Sequence, residues 1–150
     1  MDIITACDLR LSTADATFCV KEVDLGIVAD IGTLQRLPFA VGEQRARELA
    51  LTARDVCGDE AAEMGLTLGP ASADRDALRA RARELAECIA AKSPLTTRGT
   101  KRSLNYSREH PTEDGLNHVA MLNAAQIMST DLDEAIAAMM EKRKAEFPGR

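Results

Sequence analysis

Val20-Lys21-Glu22-Val23-Asp24-Leu25-Gly26-Ile27-Val28-Ala29-Asp30-Ile31-Gly32-Thr33-Leu34-Gln35-Arg36-Leu37-Pro38 is the stretch on which the reading of this chain turns. Glu22 and Asp30 bracket an apolar, glycine-containing segment, Val23 to Ala29. Burial against apolar groups disfavours the charged form of a carboxylate and raises its pKa, as proton transfer near neutral pH requires. The same residues have a purely architectural use. Glu22 can pair with a base, and Asp30 can cap a helix running through Leu37, which Pro38 would help to end. Residue types alone leave both uses open.

Upstream of this stretch, Leu9, Leu11, Phe18 and Val20 stand among Ser, Thr, Asp and Ala. That texture predicts short strands joined by a turn near Ser12–Ala16. Gly26 permits a tight turn or a close backbone approach. Met1 runs directly into Asp-Ile-Ile-Thr-Ala-Cys-Asp, so the chain is expected to begin inside an element. Strands this few do not make a stable sheet alone, and partner strands are expected upstream or from another chain.

Downstream the sequence reads as helices. Gly42 to Ala53 places Ala46, Leu49, Ala50 and Ala53 on one face. Asp59 can cap a short turn ending at Gly65, where a left-handed residue is favourable. Leu66 to Ala73 reads as a loop or a brief strand. Asp74 caps a predicted helix to about Lys92, with Leu78, Ala82, Leu85, Ala86 and Ile89 as its apolar stripe. Ser93-Pro94 opens another, proline being favoured at the first helical position. Helices over Thr112–Met128 and Asp131–Phe147 complete the set, with Thr112 and Asp131 as expected caps.

The chain has 150 residues and a net charge of −5, which gives no electrostatic reason to expect nucleic-acid binding. Local basic groups leave an anionic small molecule open as a ligand. Cys7, Cys19, Cys57 and Cys88 are far apart and form no CxxC pair, so free thiols are expected. His110 and His118 have no ligand-type spacing around them, and no metal site is expected. No apolar run is long enough to span a bilayer, and no signal peptide is evident.

The 20–38 string closely resembles the active-site segment of the dienoyl-CoA isomerases of the crotonase (enoyl-CoA hydratase/isomerase) superfamily. Ala6-Cys7-Asp8-Leu9-Arg10, Leu49-Ala50-Leu51-Thr52-Ala53-Arg54, Lys92-Ser93-Pro94, Asn105-Tyr106-Ser107-Arg108 and Glu141-Lys142-Arg143-Lys144-Ala145-Glu146-Phe147 match in order. One departure is Met64-Gly65-Leu66-Thr67-Leu68-Gly69-Pro70, where the family has a Gly-Leu-Val strand. The resemblance implies an α/β fold, the C-terminal portion of a crotonase spiral. Residues 1–72 would form part of its core and residues 73–150 its helical oligomerisation region, assembling trimers or hexamers of like chains.

By position, the resemblance carries three catalytic acids onto Asp2, Glu22 and Asp30. Hydratases use Glu at the first position and Gly at the third, so Asp2 and Asp30 favour an isomerase. The implied reaction converts 3,5-dienoyl-CoA to 2,4-dienoyl-CoA. Glu22 would be the base at the alpha carbon and Asp30 the acid at carbon six, with Asp2 supporting or orienting the site. Lys142 would reach the CoA phosphates; its other use is a solvated cation at a helix end. Acyl-CoA is the substrate and no cofactor is implied. In the family the two oxyanion N–H donors come from segments preceding the first acid, so these residues alone are expected to be inactive. An enoyl-CoA hydratase or other crotonase, and a noncatalytic oligomerising subunit, stand as alternatives. The compartment is not legible: mitochondrial or peroxisomal for a eukaryotic chain, cytoplasmic for a bacterial one.

Overall fold

A computed structural model describes residues 1–150, which divide into two compact units, Met1–Ala82 and Arg83–Arg150. Eight α-helices and two short strands make up the chain. They are α1 (Asp2–Ala6), β1 (Thr17–Phe18), α2 (Thr33–Val41), α3 (Glu43–Thr52), β2 (Val56–Cys57), α4 (Gly58–Glu63), α5 (Arg75–Ala90), α6 (Pro94–Glu109), α7 (Thr112–Gln126) and α8 (Thr130–Glu141). A 3-10 turn over Glu22–Leu25 lies between β1 and α2.

In the first unit the expected strands are mostly extended backbone. β1 and β2 pair antiparallel, with Thr17 opposite Cys57 and Phe18 opposite Val56, and Thr13 makes a single parallel bridge to Ser72. The segment before β1 bonds the 66–72 loop: Leu68 N–H donates to the Arg10 carbonyl at 2.8 Å and Ser72 N–H to the Ser12 carbonyl at 2.9 Å. A two-residue ladder supplies little, and burial supplies the rest. Val20, Leu37, Leu49, Val56 and Leu66 are almost wholly buried and form one cluster with Ala46, Ala61 and Met64.

α2 departs from its sequence reading at both ends. Asp30 is not its cap; Gly32 holds that position, with φ +96°. The helix also runs through Pro38 to Val41. Thr33, Leu37 and Val41, four residues apart, are all buried, and packing this face outweighs the one backbone hydrogen bond that proline removes. α3 carries buried Ala46 and Leu49 and ends on Ala53 in the left-handed conformation. At α5 the expected cap forms, Asp74 Oδ1 accepting from Ala77 N–H at 2.8 Å.

α6, α7 and α8 belong to the second unit. Ser93 caps α6, its Oγ accepting from Thr96 N–H at 3.2 Å. α6 and α7 pack together where side chains are smallest: a Cβ on Gly115 would stand 2.8 Å from Ser107 Oγ. Two further expectations need correction. Pro111, not Thr112, precedes α7 at the cap position. Ser129, not Asp131, caps α8, and that helix stops at Glu141 rather than Phe147.

The early stop has a clear cause. Lys142 adopts φ +56°, and the tail folds back onto the first turns of α8. Asp131 is buried and accepts from Ser93 Oγ at 2.5 Å and Gly149 N–H at 2.7 Å. Glu134 accepts from Arg143 Nη1 at 2.5 Å and Glu146 N–H at 2.8 Å. These two acids hold the returning chain.

Candidate active site

Asp2 opens α1, and its carboxylate reaches thirty-one residues along the chain to the start of α2. Oδ1 accepts from Thr33 Oγ1 at 2.6 Å and from Thr33 N–H at 3.2 Å. The first N–H groups of a helix lack internal partners, and Gly32 has no side chain to offer them. Asp2 therefore acts as a cap supplied by tertiary structure. The Thr33 hydroxyl, more than any other contact, holds the Asp2 carboxyl below the usual carboxylate range.

Arg36, one turn into α2, points back across the same junction. Nη2 donates to the Ile31 carbonyl at 2.7 Å and the Asp2 carbonyl at 3.2 Å, and Nε donates to Thr5 Oγ1 at 3.3 Å. Thr5 in turn donates to the Asp2 carbonyl at 2.9 Å. The Asp2 segment and Ile31, the residue following Asp30, are thus tied through one guanidinium.

Glu22 sits apart from this network. It is half-buried at the head of the 3-10 turn, which packs against α3, and its carbonyl accepts from Ile27 N–H at 3.2 Å. The neighbouring base, Lys21, pairs with Asp24 at 2.5 Å rather than with Glu22. Asp30 is exposed beside buried Ala29. Between the two acids Val23, Leu25, Ile27 and Val28 are exposed, with Val28 at 74%, and Ile31 follows at 70%. In this chain the two acids flank an open apolar strip.

Lys142 lies in the second unit, exposed at the left-handed end of α8. Its neighbour Lys144 lines a cavity of about 290 Å³ with Ala90, Ala91, Lys92, Ala145, Glu146 and Phe147. No cluster of His, Cys, Asp and Glu suited to a metal ion is present, and all four cysteines are free. No helix is long and apolar enough to cross a membrane. Sequence reasoning assigned nothing to Thr33 or Arg36. Their signal was faint: a hydroxyl and a cation just after Gly32, with no partner in local register.

Comparison with known proteins places these observations. The enoyl-CoA hydratase/isomerase family pattern matches residues 1–150. A peroxisomal Delta(3,5)-Delta(2,4)-dienoyl-CoA isomerase of Arabidopsis thaliana is 50% identical over 147 residues, covering 98% of this chain and 52% of the relative. A mitochondrial Delta(3,5)-Delta(2,4)-dienoyl-CoA isomerase of Mus musculus is 42% identical over 144 residues, covering 95% and 44%. The chain thus spans about half the length of the curated relatives it matches. Among solved structures, an enoyl-CoA hydratase of Bacillus anthracis superposes with a TM-score of 0.92 at 31% identity, covering 97% of this chain and 56% of the other. One from Mycobacterium tuberculosis gives 0.90 at 34% identity, covering 97% and 57%. The mostly helical architecture with few short strands matches the C-terminal part of the crotonase fold. Sequence and fold agree, and the chain belongs to the enoyl-CoA hydratase/isomerase family.

Proposed function

We propose that these residues carry the proton-transfer half of a dienoyl-CoA isomerase acting on 3,5-dienoyl-CoA thioesters. The observation that carries this reading is the 50% identity to a dienoyl-CoA isomerase over 147 residues, with Asp2, Glu22 and Asp30 all inside the residues 1–150 that the family pattern matches. A thioester stabilises negative charge at its alpha carbon. Glu22 removes a proton there, and the C–H electron pair enters a dienolate spread along the chain. Asp30, protonated, gives its proton to carbon six, which shifts the two double bonds to the 2,4 positions. Proton exchange with solvent then restores both carboxyls.

The site geometry supports a different role for Asp2. Its carboxylate accepts two hydrogen bonds from Thr33 and stays ionised, which suits an anchor better than a proton donor. Lys142 offers an exposed cation to the CoA phosphates. The exposed Leu116, Met121, Ile127, Met128, Met139 and Met140 favour assembly of residues 73–150 with other copies.

The test is a fusion that places the N-terminal half of the Arabidopsis relative ahead of Met1. It is expected to convert 3,5-dienoyl-CoA to the 2,4 isomer, followed by the rise of conjugated-dienoyl absorbance. Asp30→Asn should lower kcat by about 10²-fold or more, the usual size of a lost acid–base group. Hydration of 2-enoyl-CoA as the main activity would overturn the isomerase assignment, and full isomerisation by Asp30→Asn would remove Asp30 from the mechanism. Without the upstream oxyanion donors, each worth about 10²–10³ in rate, the 150 residues alone should show almost no turnover.

A further inference from the structure

The residues around Asp30 do not by themselves explain how an exposed acid could be held at one fixed point. The next residue, Ile31, supplies the answer. The Ile31 carbonyl accepts from Arg36 Nη2 at 2.7 Å, and the same nitrogen donates to the Asp2 carbonyl at 3.2 Å. A guanidinium is planar and presents its donors in a fixed fork, so the Nη2 contacts to the two carbonyls and the Nε contact to Thr5 are held in one plane, as a flexible ammonium's would not be. Thr5 Oγ1, on Nε, gives the fork its third contact. On the other side of the junction, Thr33 takes the Asp2 carboxylate with both its N–H and its hydroxyl, and Thr33 is fully buried.

Gly32 shows how closely this clamp is fitted. A Cβ there would stand 2.1 Å from Arg36 Nη1 and 2.7 Å from Cζ, so any side chain displaces the guanidinium from its acceptors. Gly32 also holds φ +96°, a conformation other residues adopt only with strain. Three neighbours, Gly32, Thr33 and Arg36, are therefore shaped around one contact between the Asp2 and Asp30 segments.

We propose that Arg36 is a positioning residue that restrains Asp30 relative to Asp2 by bridging the carbonyls of Asp2 and of Ile31, the residue next to Asp30, with Thr33 anchoring the Asp2 side and Gly32 leaving room for the guanidinium. This rests on the proposed isomerase reading for its catalytic meaning, while the clamp can be tested without substrate.

The experiment uses the 150-residue chain labelled for NMR. Amide hydrogen exchange is read at Gly32 and Thr33, and the Asp2 carboxyl is titrated, in the unaltered chain and in Arg36→Lys, Arg36→Met and Gly32→Ala. All three variants should speed exchange at Thr33 by about tenfold or more relative to the Leu37 and Leu49 amides, as loss of hydrogen bonds to a charged group implies. The Asp2 midpoint should move up toward the ordinary value as its contact with Thr33 loosens. A residue serving stability alone would lower protection of all these amides together and leave the Asp2 titration unmoved, and that result would overturn the proposal. Should Arg36→Met fail to fold, Arg36→Lys and Gly32→Ala still decide the matter. Failure of the isomerase assay with the clamp behaviour intact would break only the functional reading.

Discussion

The two units of the chain are both helical, yet they bury their apolar residues very differently. In Met1–Ala82, Leu37, Val56 and Leu66 are fully buried, and Val20 and Leu49 nearly so, in one cluster. In Arg83–Arg150, Ala138 is the one hydrophobic residue in the buried class. Leu104, Leu116, Met121, Met128, Met139 and Met140 are more than 60% exposed, and what is buried there is polar or small: Ser93, Gly99, Gly115 and Asp131. Hydrophobic burial thus holds the first unit, while caps, close glycine contacts and two acid-centred pins hold the second. A unit with so little core and so much exposed apolar surface is suited to being covered.

The largest expected effect tests the first half of that contrast. Leu37→Ala or Leu49→Ala should cost about 2–5 kcal/mol in denaturant unfolding, the usual range for a buried leucine. Met128→Ser and Met139→Ser should change the isolated chain by no more than about 0.5 kcal/mol, since no core is disturbed. Sedimentation should nevertheless show them shifting assembly toward monomer. Equal destabilisation in both units would erase the distinction.

Next in size is the tail pin. Asp131→Ala leaves Ser93 Oγ and Gly149 N–H without their acceptor, and should cost about 1–3 kcal/mol by thermal melting. It should also open residues 142–150 to proteolysis.

Acid should affect the two units through different carboxylates. Arg143, with help from Glu146 N–H, lowers Glu134 from 4.5 to about 2. Its contribution is complete above about 4.5 and is lost as the pH falls toward about 2. The melting difference between the natural chain and Glu134→Gln should close over that window. Asp2, also lowered, behaves alike: Thr33→Val should be destabilised at neutral pH, with the gap narrowing as the pH falls below 3.8. Smallest of all is the exposed Glu43–Arg47 pair, where Glu43→Gln should change stability by less than about 0.5 kcal/mol.

The places where sequence reading succeeded are local ones. Ser93-Pro94, Asp74 and Gly65 each act within one helical turn or bend of their own position, and each sits where its residue type predicts. Asp30 and Asp131 were read as local caps by the same logic, and both readings failed. Asp131 is drawn inward by Ser93 and Gly149, distant partners that no periodicity reveals. Asp30 stands two residues before Gly32, which holds the cap position, and the first N–H of α2 is met instead by Asp2 from another helix.

The candidate acids were legible only through resemblance, because a carboxylate has no signature of its own. From sequence came the family, through ordered strings that fill the chain, and most helix positions, through apolar spacing and turn chemistry. Only the tertiary structure decided that Pro38 stays inside a helix, that the tail turns back at Lys142, and that Asp2 and Arg36 bind the junction after Asp30. Interactions within four residues leave a period or a motif that can be read along the chain. A hydrogen bond across thirty-one residues leaves none, since its geometry exists only after the intervening backbone has packed.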